Sequence, residues 1–131
     1  MNLNEKIKEM LDRRAEDMTS LREGVVNWVK GTLDEKLIES LVVNQFENGA
    51  SEFAINFSVS EKGDLGYAGL WRHIEREFTG EQSLELAHTI SEEIAKIVKE
   101  HGFAIIGIPI FYFRGTQQGR VHFKCKEKEQ Q

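Results

Sequence analysis

Three changes of period along the chain predict an α+β fold: a mostly antiparallel sheet of about four strands (two hairpins), covered on one face by helices, in the order ααββαββ. Apolar residues recur at every third or fourth position in the first 47 residues and again between residues 83 and 101. They recur at every second position from residue 53 to 71, and a near-continuous apolar run from 103 to 113 is followed by alternation from 120 to 126. Helices and strands therefore come in blocks instead of strict alternation, which disfavours a doubly wound parallel sheet. At 131 residues, with 40% hydrophobic residues and one proline, the chain is the size of one domain over 1–131 and long enough to bury a core without metals or disulfides.

Residues 2–30 read as a long helix. Ile7, Leu11, Ala15, Met18, Leu21, Val25 and Trp28 are three or four apart and form one stripe. Gly24 weakens the stretch by about 1 kcal/mol relative to alanine and is a candidate bend; Gly31 interrupts the pattern. Thr32-Leu33-Asp34-Glu35 has the form of a capping box for a second helix over 33–47, with Leu37, Ile38, Leu41, Val42 and Phe46 on its buried side. Asn48-Gly49 stops it, because glycine adopts the left-handed conformation past a helix end without Cβ strain.

Phe53, Ile55, Phe57 and Val59 alternate with Ala54, Asn56, Ser58 and Ser60, the pattern of a strand with one buried face. Glu61-Lys62-Gly63-Asp64 reads as a turn. The next run (Leu65, Tyr67, Gly69, Trp71) pairs back as an antiparallel hairpin with Val59 facing Leu65, Phe57 facing Tyr67 and Phe53 facing Trp71. The competing reading makes 67–78 a short helix, against which Gly66 and Gly69 count. Thr79-Gly80-Glu81-Gln82 is a second capping-box pattern. The helix after it carries Leu86, Ala87, Ile90, Ile94, Ile97 and Val98 on one side and Glu92, Glu93, Lys96 and Lys99 on the other, and ends at Gly102.

The last hairpin joins Phe103–Arg114 to Arg120–Lys126 around Gly115–Gly119. Pro109 has no N–H for a ladder, so its strand needs a bulge or an edge position there. The register that sets Arg114 opposite Arg120, Tyr112 opposite His122 and Ile110 opposite Lys124 sorts the side chains into two faces. Pro109, Phe111, Phe113, Val121, Phe123 and Cys125 turn inward, and Tyr112, Arg114, Arg120, His122, Lys124 and Lys126 turn outward.

That outer face is the candidate contact surface. The chain as a whole carries 17 basic and 22 acidic residues, a net −5, which argues against a general nucleic-acid coat. From residue 114 onward five Lys/Arg stand against two Glu, while the rest of the chain is strongly acidic. Guanidinium groups offer paired donors to carboxylate or phosphate, and a tyrosine ring offers a stacking plane. The chain is read as a small non-enzymatic binding or regulatory module acting through protein–protein contacts. Single-stranded nucleic acid or a phosphate ligand on the basic hairpin face is the alternative. The plainer account of these charges is a solvated strand face with lysines that discourage edge-to-edge pairing.

Catalytic signals are weak, and catalysis is disfavoured without being excluded. His73/Glu77 and His88/Glu92 are four apart, as metal ligands on one helix face are, but neither pair has the third and fourth ligands that zinc or iron requires. Surface ion pairing accounts for them more simply. Gly63-Asp64-Leu65-Gly66-Tyr67-Ala68-Gly69 lacks the lysine and Ser/Thr of a phosphate loop. A small hydrolase or nucleotide-processing site built from His73, His88 or His122 is the third reading. No metal and no cofactor is implied. Cys125 is the single cysteine, which excludes an intrachain disulfide and suits a reducing compartment. The charged N-terminus has no signal-peptide core, and the longest near-apolar run, Phe103 to Phe113, falls short of the about 20 residues that span a bilayer. Cytoplasmic localisation without membrane association is expected.

The first helix offers a different contact. Its apolar positions average about 3.5 residues apart, the coiled-coil repeat. Packed on its own sheet, it is a lid. Projecting, it would pair with the same helix of a second copy, giving a homodimer, or with another protein.

Overall fold

The computed structural model describes residues 2–58, 65–66, 80–112 and 118–126. Among them are α1 (Leu3–Thr32), α2 (Glu35–Glu47), β1 (Phe53–Ser58), a two-residue strand β2 (Leu65–Gly66), α3 (Gly80–Glu100), β3 (Phe103–Tyr112) and β4 (Gln118–Cys125). The fold is α+β. Strands β1, β4 and β3 form an antiparallel sheet packed against helices, and the strand order is β2-β1-β4-β3.

The helix boundaries follow from caps and burial. Asn2 caps α1, its Oδ1 accepting the Glu5 N–H at 2.8 Å. The helix passes through Gly24 and Gly31 without a break. Val25, Val29 and Leu33 are fully or almost fully buried around those glycines, and burying one such side chain gains about 1.5–3 kcal/mol, more than a glycine costs. Because α1 continues to Thr32, the threonine cannot serve as the next cap. Asp34 does so instead, its Oδ1 accepting the Leu37 N–H at 2.9 Å. A carboxylate caps as well as a hydroxyl and also suits the helix dipole. At the other end Asn48 closes α2 and Gly49 takes φ +90°, as the Asn-Gly pair predicts. Gly102, at φ +91°, ends α3 in the same manner.

α3 lies across β3 and β4, α1 packs beside α3, and α2 borders β1. The core joins Leu86, Ile90, Ile94 and Val98 of α3 to Phe53, Ile55, Phe57, Val121 and Phe123 of the sheet, with Met18, Val25 and Val29 of α1 and Ile38 of α2. Phe53, Phe103 and Phe123 cluster at one end, with ring centroids 5.1–6.4 Å apart.

The first expected hairpin does not form as drawn. Leu65–Gly66 runs parallel to β1, with Phe57 beside Leu65 and Ser58 beside Gly66. The antiparallel neighbour of β1 is β4, pairing Phe53 with Phe123, Ile55 with Val121 and Phe57 with Gly119. Alternation carries no sense of direction, so β1 matches any strand of the same period, and it pairs with β4 along its whole length. Val59, the turn at 61–64, Tyr67, Gly69, Trp71 and the alternative helix over 67–78 lie outside the described residues, as does Thr79 of the second capping-box pattern.

The second hairpin forms with a shifted register. Near its tip Tyr112 pairs with Gln118, Phe111 with Gly119 and Ile110 with Arg120. Further along, Ile106 pairs with His122, Ala104 with Lys124 and Phe103 with Cys125. The slip of four residues from the expected pairing at the tip is even, so every side chain keeps its face. The register shifts again between Ile106 and Ile110, at a bulge containing Gly107 (φ +63°) and Pro109. β3 is also the outer strand on its side of the sheet, so the proline sits at both a bulge and an edge.

Candidate functional site

The outer face of the sheet is built from alternate residues of its three antiparallel strands. β4, the middle strand, contributes Arg120, His122 and Lys124, all half-buried. Arg120 stands between Asn56 of β1 and Ile110 of β3, and its Nε–H donates to Asn56 Oδ1 at 2.6 Å. His122 lies between Ala54 and Ile106, and Lys124 pairs with Ala104. Alternate residues on a strand are roughly 6.8 Å apart, so each cation can meet a separate anionic group. The paired positions on this face are Ala54, Asn56, Ser58, Ala104, Ile106, Ile110, Tyr112 and Gln118, and none is acidic. The surface is a cationic row walled by small and aliphatic side chains.

Of the expected contact residues, the structure brings Arg120, His122 and Lys124 together. Lys126 is exposed just beyond β4. Tyr112 ends β3, at the position paired with Gln118 instead of His122. Arg114 lies outside the described residues. Cys125 was expected to be buried and is exposed. Its phase is inward, but it is the last residue of β4, two places beyond the buried Phe123.

Among the described residues the histidines do not converge. His88 is exposed on α3, its ring edge-on to Phe111 at 4.9 Å; His122 is on the opposite side of the sheet; His73 lies outside the described residues. His101 Nδ1 is 2.9 Å from the Ile97 carbonyl at the end of α3. Among the described residues no three His, Cys, Asp or Glu side chains gather as metal ligands do. A shallow concavity on α3, lined by Glu92, Ala95, Lys96, Lys99 and Glu100, belongs to one helix face and encloses no such group. Among the described residues no helix is long and apolar enough to cross a membrane.

The other prominent surface is the first half of α1. Arg22 forms an ion pair with Glu85, and Lys30 lies 3.9 Å from Glu93. The partners ascend together, so α1 and α3 are parallel, and the common offset sets Gly80, the first residue of α3, level with Asp17. The first buried residue of α1 is Met18. Every residue from Leu3 to Asp17 is exposed, and this part of the helix is about 22 Å long. Leu3, Ile7, Met10 and Leu11 are 73%, 46%, 60% and 55% exposed, although they continue the stripe that is buried further along. Sequence periodicity marks the packed and unpacked halves identically. The signal that separates them is length, since α1 has 30 residues and α3, its neighbour, has 21.

No family model, no curated protein and no solved structure matches this chain.

Proposed function

We propose that this protein is a cytoplasmic, non-catalytic binding module that engages another protein through the projecting first half of α1. The observation that carries this reading is the aliphatic stripe Leu3-Ile7-Met10-Leu11, held in a helix and open to solvent along its whole length. An amphipathic helix with anchors three and four residues apart is a recurring recognition element for a groove or a second helix. The test is affinity enrichment from native extract with the wild-type chain and an Ile7→Asp, Leu11→Asp variant. Proteins retained by the first and lost from the second are expected; identical retention by both would remove the arm as the contact element.

A second reading rests on the outer sheet face. The row Arg120, His122 and Lys124 favours an anionic ligand by its positive charge, and single-stranded nucleic acid fits that chemistry. Two or three neutralised phosphates predict a log–log salt slope of about −1.4 to −2 for a single strand. Fluorescence anisotropy with single-stranded RNA and DNA measures it. Arg120→Glu with Lys124→Glu should abolish binding, and no binding by the wild type at low salt rules the reading out.

A further inference from the structure

We infer that the partner of the α1 arm is an amphipathic helix of another protein that brings a carboxylate to Arg14, and not a second copy of this chain. The inference rests on the arm being the contact element and concerns the chemistry of what covers it.

The seam of α1 runs through Ile7, Leu11, Arg14, Met18, Leu21, Val25 and Trp28, at alternating steps of four and three. Its second half is covered by the protein itself: Met18 and Val25 are buried, and Leu21 and Trp28 pack against the core. Its first half is open, and Arg14 is the one charged residue in the seam. At 100° per residue Arg14 falls inside the arc of Leu3, Ile7, Met10 and Leu11. Lys6 and Arg13 border that arc on one side, where Asp17 also stands, and Lys8 borders it on the other. Glu5, Glu9, Asp12 and Glu16 occupy the opposite side of the helix. Arg14 is thus the charge inside the apolar stripe, Asp17 and Lys6 stand at one border of it, and the other acids face away, so a covering surface meets Arg14 first.

A second copy does not supply the missing carboxylate. Parallel pairing in register sets Arg14 against Arg14 of the other copy. Antiparallel pairing that keeps the two seams in alternating layers sets Arg14 against Asn4, Leu11 or Met18. A charge left in a closed seam without a counter-charge disfavours that assembly and selects a partner that provides one. The protein already meets a flanking cation of α1 in this way, since Glu85 of the parallel helix α3 pairs with Arg22. The arm extends the same arrangement beyond the start of α3.

The test uses the full chain and two synthetic three-heptad helical peptides with leucine at the seam and neutral flanks, differing only in Glu or Lys at the central seam position. Anisotropy should show the Glu peptide binding wild type at least tenfold more tightly than the Lys peptide. Arg14→Glu should reverse that order, and Ile7→Asp with Leu11→Asp should abolish both. Every substituted residue is exposed, and circular dichroism confirms that the fold is kept. Equal binding of the two peptides, or no reversal, overturns the inference. So does concentration-dependent dimerisation in sedimentation that Ile7→Asp removes, which assigns the arm to a second copy. Cosedimentation with phosphatidylserine vesicles that Ile7→Asp removes assigns it to lipid, and overturns the inference too. If no charge preference is found while native proteins are still lost from the arm variant, only the present inference fails. If the arm variant retains them all, the binding reading fails as well.

Discussion

Replacing Gly119 with alanine tests how the sheet is packed at its open-looking end. Gly119 is in the middle strand, with Phe57 of β1 on one side and Phe111 of β3 on the other. It is buried, and the space a side chain would take is filled by the Phe57 ring, whose atoms a Cβ would overlap. That ring is itself fully buried and edge-on to Phe111, with centroids 6.2 Å apart. Forcing a methyl group into such a site costs about 1–3 kcal/mol. Part of that cost is offset because alanine restricts the unfolded chain, by about 0.4–1 kcal/mol, and the backbone at Gly119 is not in the left-handed region that only glycine tolerates well.

The net expectation is a loss of about 1–2 kcal/mol. With a urea slope of about 1.5 kcal/mol/M for a domain of this size, the midpoint falls by roughly 1 M. The diagnostic measurement is a double-mutant cycle with Phe57→Leu, in which the ring is gone and the alanine should cost almost nothing. A coupling energy of at least about 1 kcal/mol is expected. An unchanged or raised midpoint for Gly119→Ala, or strict additivity with Phe57→Leu, would show that the ring does not occupy the glycine's space.

Four further substitutions probe the rest of the fold. The Gln45 amide donates to the Ala54 carbonyl and accepts the Ala54 N–H, both at 2.8 Å, standing in for a neighbouring strand where β1 has none beside it among the described residues. Gln45→Ala should cost about 1–3 kcal/mol, and hydrogen exchange at Ala54 should quicken; an unprotected Ala54 in the wild type would contradict the contact. Asp34→Ala removes the cap of α2 and should lower stability by about 1 kcal/mol in chemical denaturation. Val25→Ala should cost about 1.5–3 kcal/mol while Ile7→Ala stays within about 0.5 kcal/mol of wild type, because the first side chain is buried and the second is not.

The difference between what periodicity reveals and what it hides is visible in the last hairpin. The faces of β4 are legible because alternation survives any even slip: Phe123 is buried and Arg120, His122 and Lys124 lie on the other side, although the pairing is displaced by four residues at Arg120 and by six at His122 and Lys124. The register itself depends on where β3 makes its bulge. Pro109 announces an irregularity without saying that two extra residues enter the strand there. Strand direction is equally silent, so Leu65–Gly66 is parallel to β1 where a turn-like sequence suggested a reversal. In the helices the apolar stripe identifies α3 completely, because every stripe residue from Leu86 to Val98 is buried. The same reasoning applied to α1 marks a seam of which only the second half is covered. A stripe records a capacity to pack, and the length of the neighbouring helix decides whether it is used.

The arm's helicity depends on its continuity with the packed half, and this gives a test of its own. A helix of about 15 residues is marginal in water alone, because forming its first turn is unfavourable while each further residue adds to an existing end at little cost. In α1 the turns around Met18, Val25 and Val29 are held by burial, so the arm propagates from a nucleus formed elsewhere in the fold. Glu9 stands four residues before Arg13, the favourable order for an i,i+4 pair, and adds a few tenths of a kcal/mol. Asp17→Pro should cut the arm from that nucleus by removing one backbone donor and clashing with the carbonyl of Arg13. Circular dichroism should then lose about a fifth of its helical signal, while the urea midpoint of the core changes little because no residue before Met18 is buried. Retained helicity would mean that the arm is stable by itself, and a collapsed midpoint would mean that it is packed. Either result would end the view that the fold holds this segment ready for a partner and so lowers the entropy lost when the complex forms.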